Sequence, residues 1–98
     1  PQIIYLWNPT ADDGKPKTPD WFSRSLMLDL DALSRPKNKV YAHCAAGVNR
    51  GPSTAYAILR ALGFTPGSAE AVIRTARPWV GLAYKRDADA AIKALLYE

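Results

Sequence analysis

The stretch Lys39-Val40-Tyr41-Ala42-His43-Cys44-Ala45-Ala46-Gly47-Val48-Asn49-Arg50-Gly51-Pro52 decides how the rest of the chain is read. Lys39 to His43 is a short, mostly apolar run that reads as a buried strand. Cys44 to Arg50 is a loop of small residues containing Gly47. Pro52 sits where a helix opens, and Ala55, Ile58, Leu59 and Leu62 give that helix an apolar side. A strand, a tight loop and a helix in this order point to an α/β architecture.

Working outward, Ile3-Ile4-Tyr5-Leu6-Trp7 is a second apolar run and reads as a second buried strand, ended by Asn8-Pro9. Thr10 to Lys17 is polar and carries Asp12-Asp13-Gly14, a loop. Thr18-Pro19-Asp20 predicts a helix start, with Phe22, Leu26, Leu30 and Leu33 on one face and Arg35 to Asn38 ending it. Beyond the central stretch, Gly63 stops the second helix. A third helix runs from Thr65-Pro66 to about Ala76, closed by Arg77-Pro78. Trp79 to Ala83 is a turn, and a last helix runs from about Tyr84 to Tyr97. Two strands make a thin sheet. Together with a chain that opens on Pro1, this reads as a single domain over residues 1–98 or the C-terminal part of a longer one.

Composition narrows the function. At 98 residues, 48% hydrophobic and 22% charged, the chain is a folded globular domain with a modest core. Its net charge of +4 is mild. That favours an anionic ligand such as a phosphate ester without implying nucleic acid. No apolar run approaches the roughly 18 residues of a membrane span, so no membrane partner is expected. The single cysteine excludes an internal disulfide and suits a reducing, cytoplasmic setting. One His and one Cys are too few for a zinc site, and no metal or other cofactor is expected. Trp7, Trp21 and Trp79 read as core or helix-packing residues, and Lys15, Lys17, Lys37 and Lys39 as a solvated surface.

The chemistry resides in Cys44 to Arg50. Seven residues between a strand and a helix can curl into a cup whose backbone N–H groups point inward, over the positive end of the helix dipole. Gly47 allows the tight curl. Arg50 adds a planar fork for two phosphate oxygens. The same field lowers the pKa of Cys44, and the thiolate is the attacking form. Ala45, Ala46, Gly47, Val48 and Asn49 then line a site for a phosphoryl group, and His43 stands behind the nucleophile to orient it through hydrogen bonds.

His-Cys, five residues and Arg, with Gly three after the Cys, resembles the signature of the cysteine-dependent protein tyrosine phosphatases, and is most similar to the dual-specificity phosphatases. The resemblance implies a phosphatase-type sheet flanked by helices, here lacking the N-terminal strands of the family domain. It also implies a general acid in the loop after a strand. By this match that acid is Asp12, with the adjacent Asp13 as alternative. It further implies a phosphocysteine intermediate, and phosphorylated protein or a small phosphate ester as substrate. The chain departs from the family pattern after Arg50, where the usual Ser or Thr hydroxyl gives way to Gly51. A binding module without turnover is therefore the second reading. A third is an RNA 5′-triphosphatase-like phosphatase, which the Val48-Asn49-Arg50 stretch resembles. Oligomeric state is left open.

Overall fold

The computed structural model describes residues 4–96. Among them are four helices: α1 (Pro19–Leu33), α2 (Arg50–Ala61), α3 (Pro66–Ala76) and α4 (Lys85–Leu96). All four stand where the sequence places them. Two begin on the expected caps. Thr18 Oγ1 accepts from the Trp21 N–H at 3.3 Å, and Thr65 Oγ1 accepts from the Ser68 N–H at 3.2 Å. In both, a proline follows the cap. Such caps satisfy amides that the helix itself leaves unpaired, typically for about 1 kcal/mol each. The predicted extension of the last helix to Tyr97 lies outside the described residues.

The expected α/β architecture is not what the chain forms. Among the described residues there are four helices and no strand. The physical reason is that a helix closes its hydrogen bonds within itself, whereas a strand exists only through a neighbour. Residues 4–7 and 39–43 have strand-like composition but no ladder. Instead both segments line one open cleft of about 990 Å³, together with Trp21, Ser25 and Asp29 of α1. Nor are they fully buried: Trp7 is 86% exposed and Tyr41 78%, while Val40 is half-buried against the core. Of the first predicted strand, Ile3 lies outside the described residues.

The core lies between the helices. α4 packs on both α1 and α2, and α3 packs on α2. Phe22 from α1, Tyr56 and Ala57 from α2, Ala69 from α3, and Ala88, Ala91 and Ile92 from α4 are buried together with Val80, Leu82 and Tyr84 of the turn before α4. Full burial of each large side chain contributes about 1.5–3 kcal/mol. The buried face of α2 keeps Ile58 and, in part, Leu59 from the one read in the sequence, but otherwise differs. Tyr56 and Ala57 point inward, Ala55 is only half-buried and Leu62 is exposed. Of the three tryptophans only Trp21 joins the core. Its indole N–H donates to the Asn8 carbonyl at 3.1 Å, which fixes the loop before α1.

Candidate active site

The cup is built on the N-terminus of α2. Its first intrahelical bond runs from the Ser53 N–H to the Asn49 carbonyl at 2.8 Å. The amides of Arg50 and Gly51 precede that bond and have no helical partner, as the first amides of any helix do. They and the Gly47 amide face the Cys44 sulfur. Gly47 is in the left-handed region at φ 69°, a conformation glycine adopts without steric cost.

These amides decide the state of the thiol. Partial burial, the largest single influence, pushes the Cys44 pKa up. The N–H groups of Gly51, Gly47 and Arg50, with the Arg50 charge, outweigh it and carry the thiol below its ordinary value. Hydrogen bonding and positive charge both favour the thiolate.

Gly51 is where the helix meets the incoming chain. A Cβ there would stand 2.9 Å from His43 Cα, 3.0 Å from His43 C and 3.1 Å from Cys44 N. All three are backbone atoms, so no side chain can rotate away. A side chain at this position, that of Ser or Thr included, would force the two backbones apart. Two hydroxyls follow on α2. Ser53, fully buried, accepts from the Tyr84 N–H at 3.3 Å. Thr54 donates to the Arg50 carbonyl at 3.1 Å and lines the larger cleft beside Cys44.

The guanidinium of Arg50 is aimed by one contact. Its NH1 donates to the Thr10 carbonyl at 2.9 Å. Its Nε is buried and has no partner among the described residues. A buried donor left unpaired is costly, so an anion reaching it would gain a strong, charge-assisted bond.

The two candidate acids separate. Asp13 accepts from Lys17 Nζ at 2.9 Å and from the Lys15 N–H at 3.0 Å. Both bonds hold its carboxyl below the ordinary value, the lysine foremost. Asp12 instead turns toward the cup. Asn49 Nδ2 lies 3.4 Å from each of its oxygens, and the Tyr84 hydroxyl donates to Oδ1 at 2.7 Å. Asn49 also accepts from the Ala83 N–H at 3.1 Å. One cup residue thereby ties the acid loop to the turn before α4. That turn is itself held to the cup, because the Gly81 N–H donates to the Val48 carbonyl at 2.9 Å.

His43 does not make the orienting hydrogen bonds expected of it. Its side chain is exposed and its ring stacks on Tyr41, with centroids 5.1 Å apart and planes at 21°. The backbone of His43 lies close against Gly51. Ala45 and Ala46 are exposed at the mouth, while Gly47, Val48, Asn49 and Arg50 are half-buried. Lys17, read as solvated, has a side chain only 7% exposed and lies over the Tyr84 ring at 4.9 Å.

Sequence reasoning missed Tyr84, which reads only as the first residue of the last helix, and the Thr10 carbonyl that aims Arg50. Neither carries a local signal. Arg77, read as a helix stop, belongs to the rim. It lines a second cleft, of about 550 Å³, with Cys44, Ala45, Ala46 and Gly47. Among the described residues no helix is long and apolar enough to cross a membrane. No family model, curated protein or solved structure matches this chain.

Proposed function

We propose that the chain hydrolyses phosphate monoesters through a phosphocysteine, in the manner of the cysteine-dependent phosphatases that its Cys44–Arg50 stretch resembles. One observation carries this reading. Three backbone amides and the Arg50 charge converge on the Cys44 sulfur and lower its pKa against the effect of burial. A merely structural cysteine has no such surroundings.

In the first step the Cys44 thiolate attacks phosphorus and the bond to the leaving oxygen breaks. Asp12, in its acid form, gives that oxygen its proton. In the second, Asp12 takes a proton from water as the water oxygen attacks phosphorus, and the sulfur leaves as thiolate. The cup amides and Arg50 stabilise the equatorial oxygens in both steps, the dominant contribution expected for phosphoryl transfer. Asp12 is favoured over Asp13 because Asn49 of the cup reaches it, whereas Asp13 is engaged by Lys17. With no hydroxyl at position 51, the leaving thiolate is stabilised by the Gly51 amide itself.

The substrate class that fits is a phosphorylated protein or a small phosphate ester, in a reducing compartment such as the cytoplasm. The cup side chains Ala45, Ala46 and Val48 are uncharged, which suits a single phosphoryl group better than a highly charged head group. The test is hydrolysis of an aryl phosphate by the unmodified chain and by Cys44→Ser. Loss of all turnover in the variant is the expected result, and equal rates would refute the enzyme. Tight vanadate binding without turnover by the unmodified chain would favour the binding module that Gly51 raises.

A further inference from the structure

Asp12 sits on an exposed loop, yet general acid catalysis needs the proton donor within hydrogen-bond reach of the leaving oxygen. Something must register that loop against the nucleophile, and one buried side chain is placed to do so. Tyr84 is 1% exposed. Its hydroxyl donates to Asp12 Oδ1 at 2.7 Å and accepts from the Gly14 N–H at 3.0 Å. Both bonds span about seventy residues of sequence and close on the same short loop.

Tyr84 is fixed at its other end as well. Its N–H donates to the buried Ser53 hydroxyl at 3.3 Å, one turn beyond Arg50 on α2. Its carbonyl accepts from the Ala88 N–H at 2.9 Å, which opens α4. The loop is clamped a second time where the Lys17 N–H donates to Asp87 at 3.1 Å, while the Lys17 ammonium lies over the Tyr84 ring. A continuous path therefore runs from the helix that forms the cup, through Ser53 and the Tyr84 ring, to the acid. Burial foremost, then the bond to Asp12, raises the Tyr84 pKa, so the phenol keeps the proton it donates.

We propose that Tyr84 is a positioning residue for the general acid: it sets where Asp12 stands relative to the Cys44 cup, and so governs protonation of the leaving oxygen. This rests on the phosphatase reading of the site and extends it.

The test uses two aryl phosphates, one with a poor leaving group (phenyl) and one with a good one (2,4-dinitrophenyl) that departs without a proton. General acid catalysis supplies about 100- to 10,000-fold, and misplacing the acid forfeits part of that. Tyr84→Phe should therefore lower kcat/KM, which reports only the step that forms the phosphocysteine, by about 10-fold or more on phenyl phosphate and leave it within about twofold on the dinitrophenyl ester. The unchanged dinitrophenyl rate shows that fold and cup are intact, an outcome a general packing defect would not give. In an Asp12→Asn background the same substitution should have almost no further effect on phenyl phosphate.

As a second measurement on the unmutated side chain, the Tyr84 hydroxyl proton should give a slowly exchanging downfield NMR resonance that shifts in Asp12→Asn. This readout holds even should Tyr84→Phe fail to fold. If Asp12→Asn selectively slows the phenyl ester while Tyr84→Phe slows both esters equally or neither, the positioning role is wrong and the phosphatase reading stands. An unshifted hydroxyl resonance refutes the positioning role equally. Turnover by Cys44→Ser, or an Asp12→Asn variant insensitive to the leaving group, would bring down the underlying mechanism and this proposal with it.

Discussion

Gly51→Ala asks whether the seating of α2 against the incoming chain sets the thiol. The added methyl carbon would lie 2.9 and 3.0 Å from two carbons of the His43 backbone. Favourable carbon–carbon separations are about 3.5–4.0 Å, so the two backbones must part by roughly 0.5–1 Å. Forcing an extra methyl into a packed contact costs about 1–3 kcal/mol. For a domain near this size each 1 kcal/mol lowers Tm by about 4–8 °C, so a drop of at least about 4 °C is expected. The same displacement carries the Gly51 amide away from the sulfur. That amide is the largest of the influences lowering the thiol pKa, so the pKa should rise in the variant. Thermal melts give the first quantity. The pH dependence of Cys44 alkylation by iodoacetamide gives the second. A variant that melts with the parent and is alkylated at the same pH would show that Gly51 does not seat the cup. A loss of stability with an unchanged thiol would separate packing from electrostatics and refute the link between them.

Three further outcomes are expected. In the unmodified chain, alkylation of Cys44 should reach half its maximal rate at a pH below that of an ordinary thiol, about 8.5, and Arg50→Ala should raise that midpoint. Because the folded thiol ionises at lower pH than the unfolded one, the unfolded chain binds more protons between the two values. Stability relative to Cys44→Ser should thus rise with pH across that window and be lost as pH falls through the folded value; urea midpoints at several pH values check the sign. Asn49→Ala removes the contacts to Asp12 and to the Ala83 amide. It should lower kcat on phenyl phosphate while costing about 0.5–1.5 kcal/mol in a melt. Tyr56 donates to Asp89 at 2.8 Å, and its pKa is pushed up to about 12, by burial first and the aspartate second. Its contribution is complete below pH 10 and is lost as pH rises toward 12. The stability supplied by this buried, hydrogen-bonded phenol should diminish across that range, read as alkaline unfolding that Tyr56→Phe reduces.

The helices were legible because their causes are local. Thr18-Pro19 and Thr65-Pro66 carry cap and first-turn residue side by side, and the apolar residues that follow recur at helical spacing. The absence of a ladder was not legible, since composition at 39–43 reports that a residue suits a strand and says nothing of whether a neighbour pairs with it. Within the candidate site, Cys44, Gly47 and Arg50 could be singled out because they fall within seven consecutive residues. Asp12 and Asp13 could not be told apart, being adjacent and chemically identical. Only the positions of Asn49, Lys17 and Tyr84, which arrive from three different parts of the chain, distinguish them. Tyr84 itself was invisible for the same reason, because its two partners on the acid loop lie about seventy residues away.

The absence of a sheet among the described residues also shows what the cup requires. Its amides come from the turn at Gly47 and from the first turn of α2. Asp12 is tied to α2 through Ser53 and Tyr84, and to the cup through Asn49. None of these contacts uses a side chain from residues 39–43, whose Tyr41 and His43 rings stack together in the open. The segment lines both clefts beside Cys44, and its backbone at His43 lies against Gly51. The electrostatics of the site are thus a property of one helix N-terminus and the loops fastened to it. Their weak point is the single seat where α2 meets His43 and Cys44.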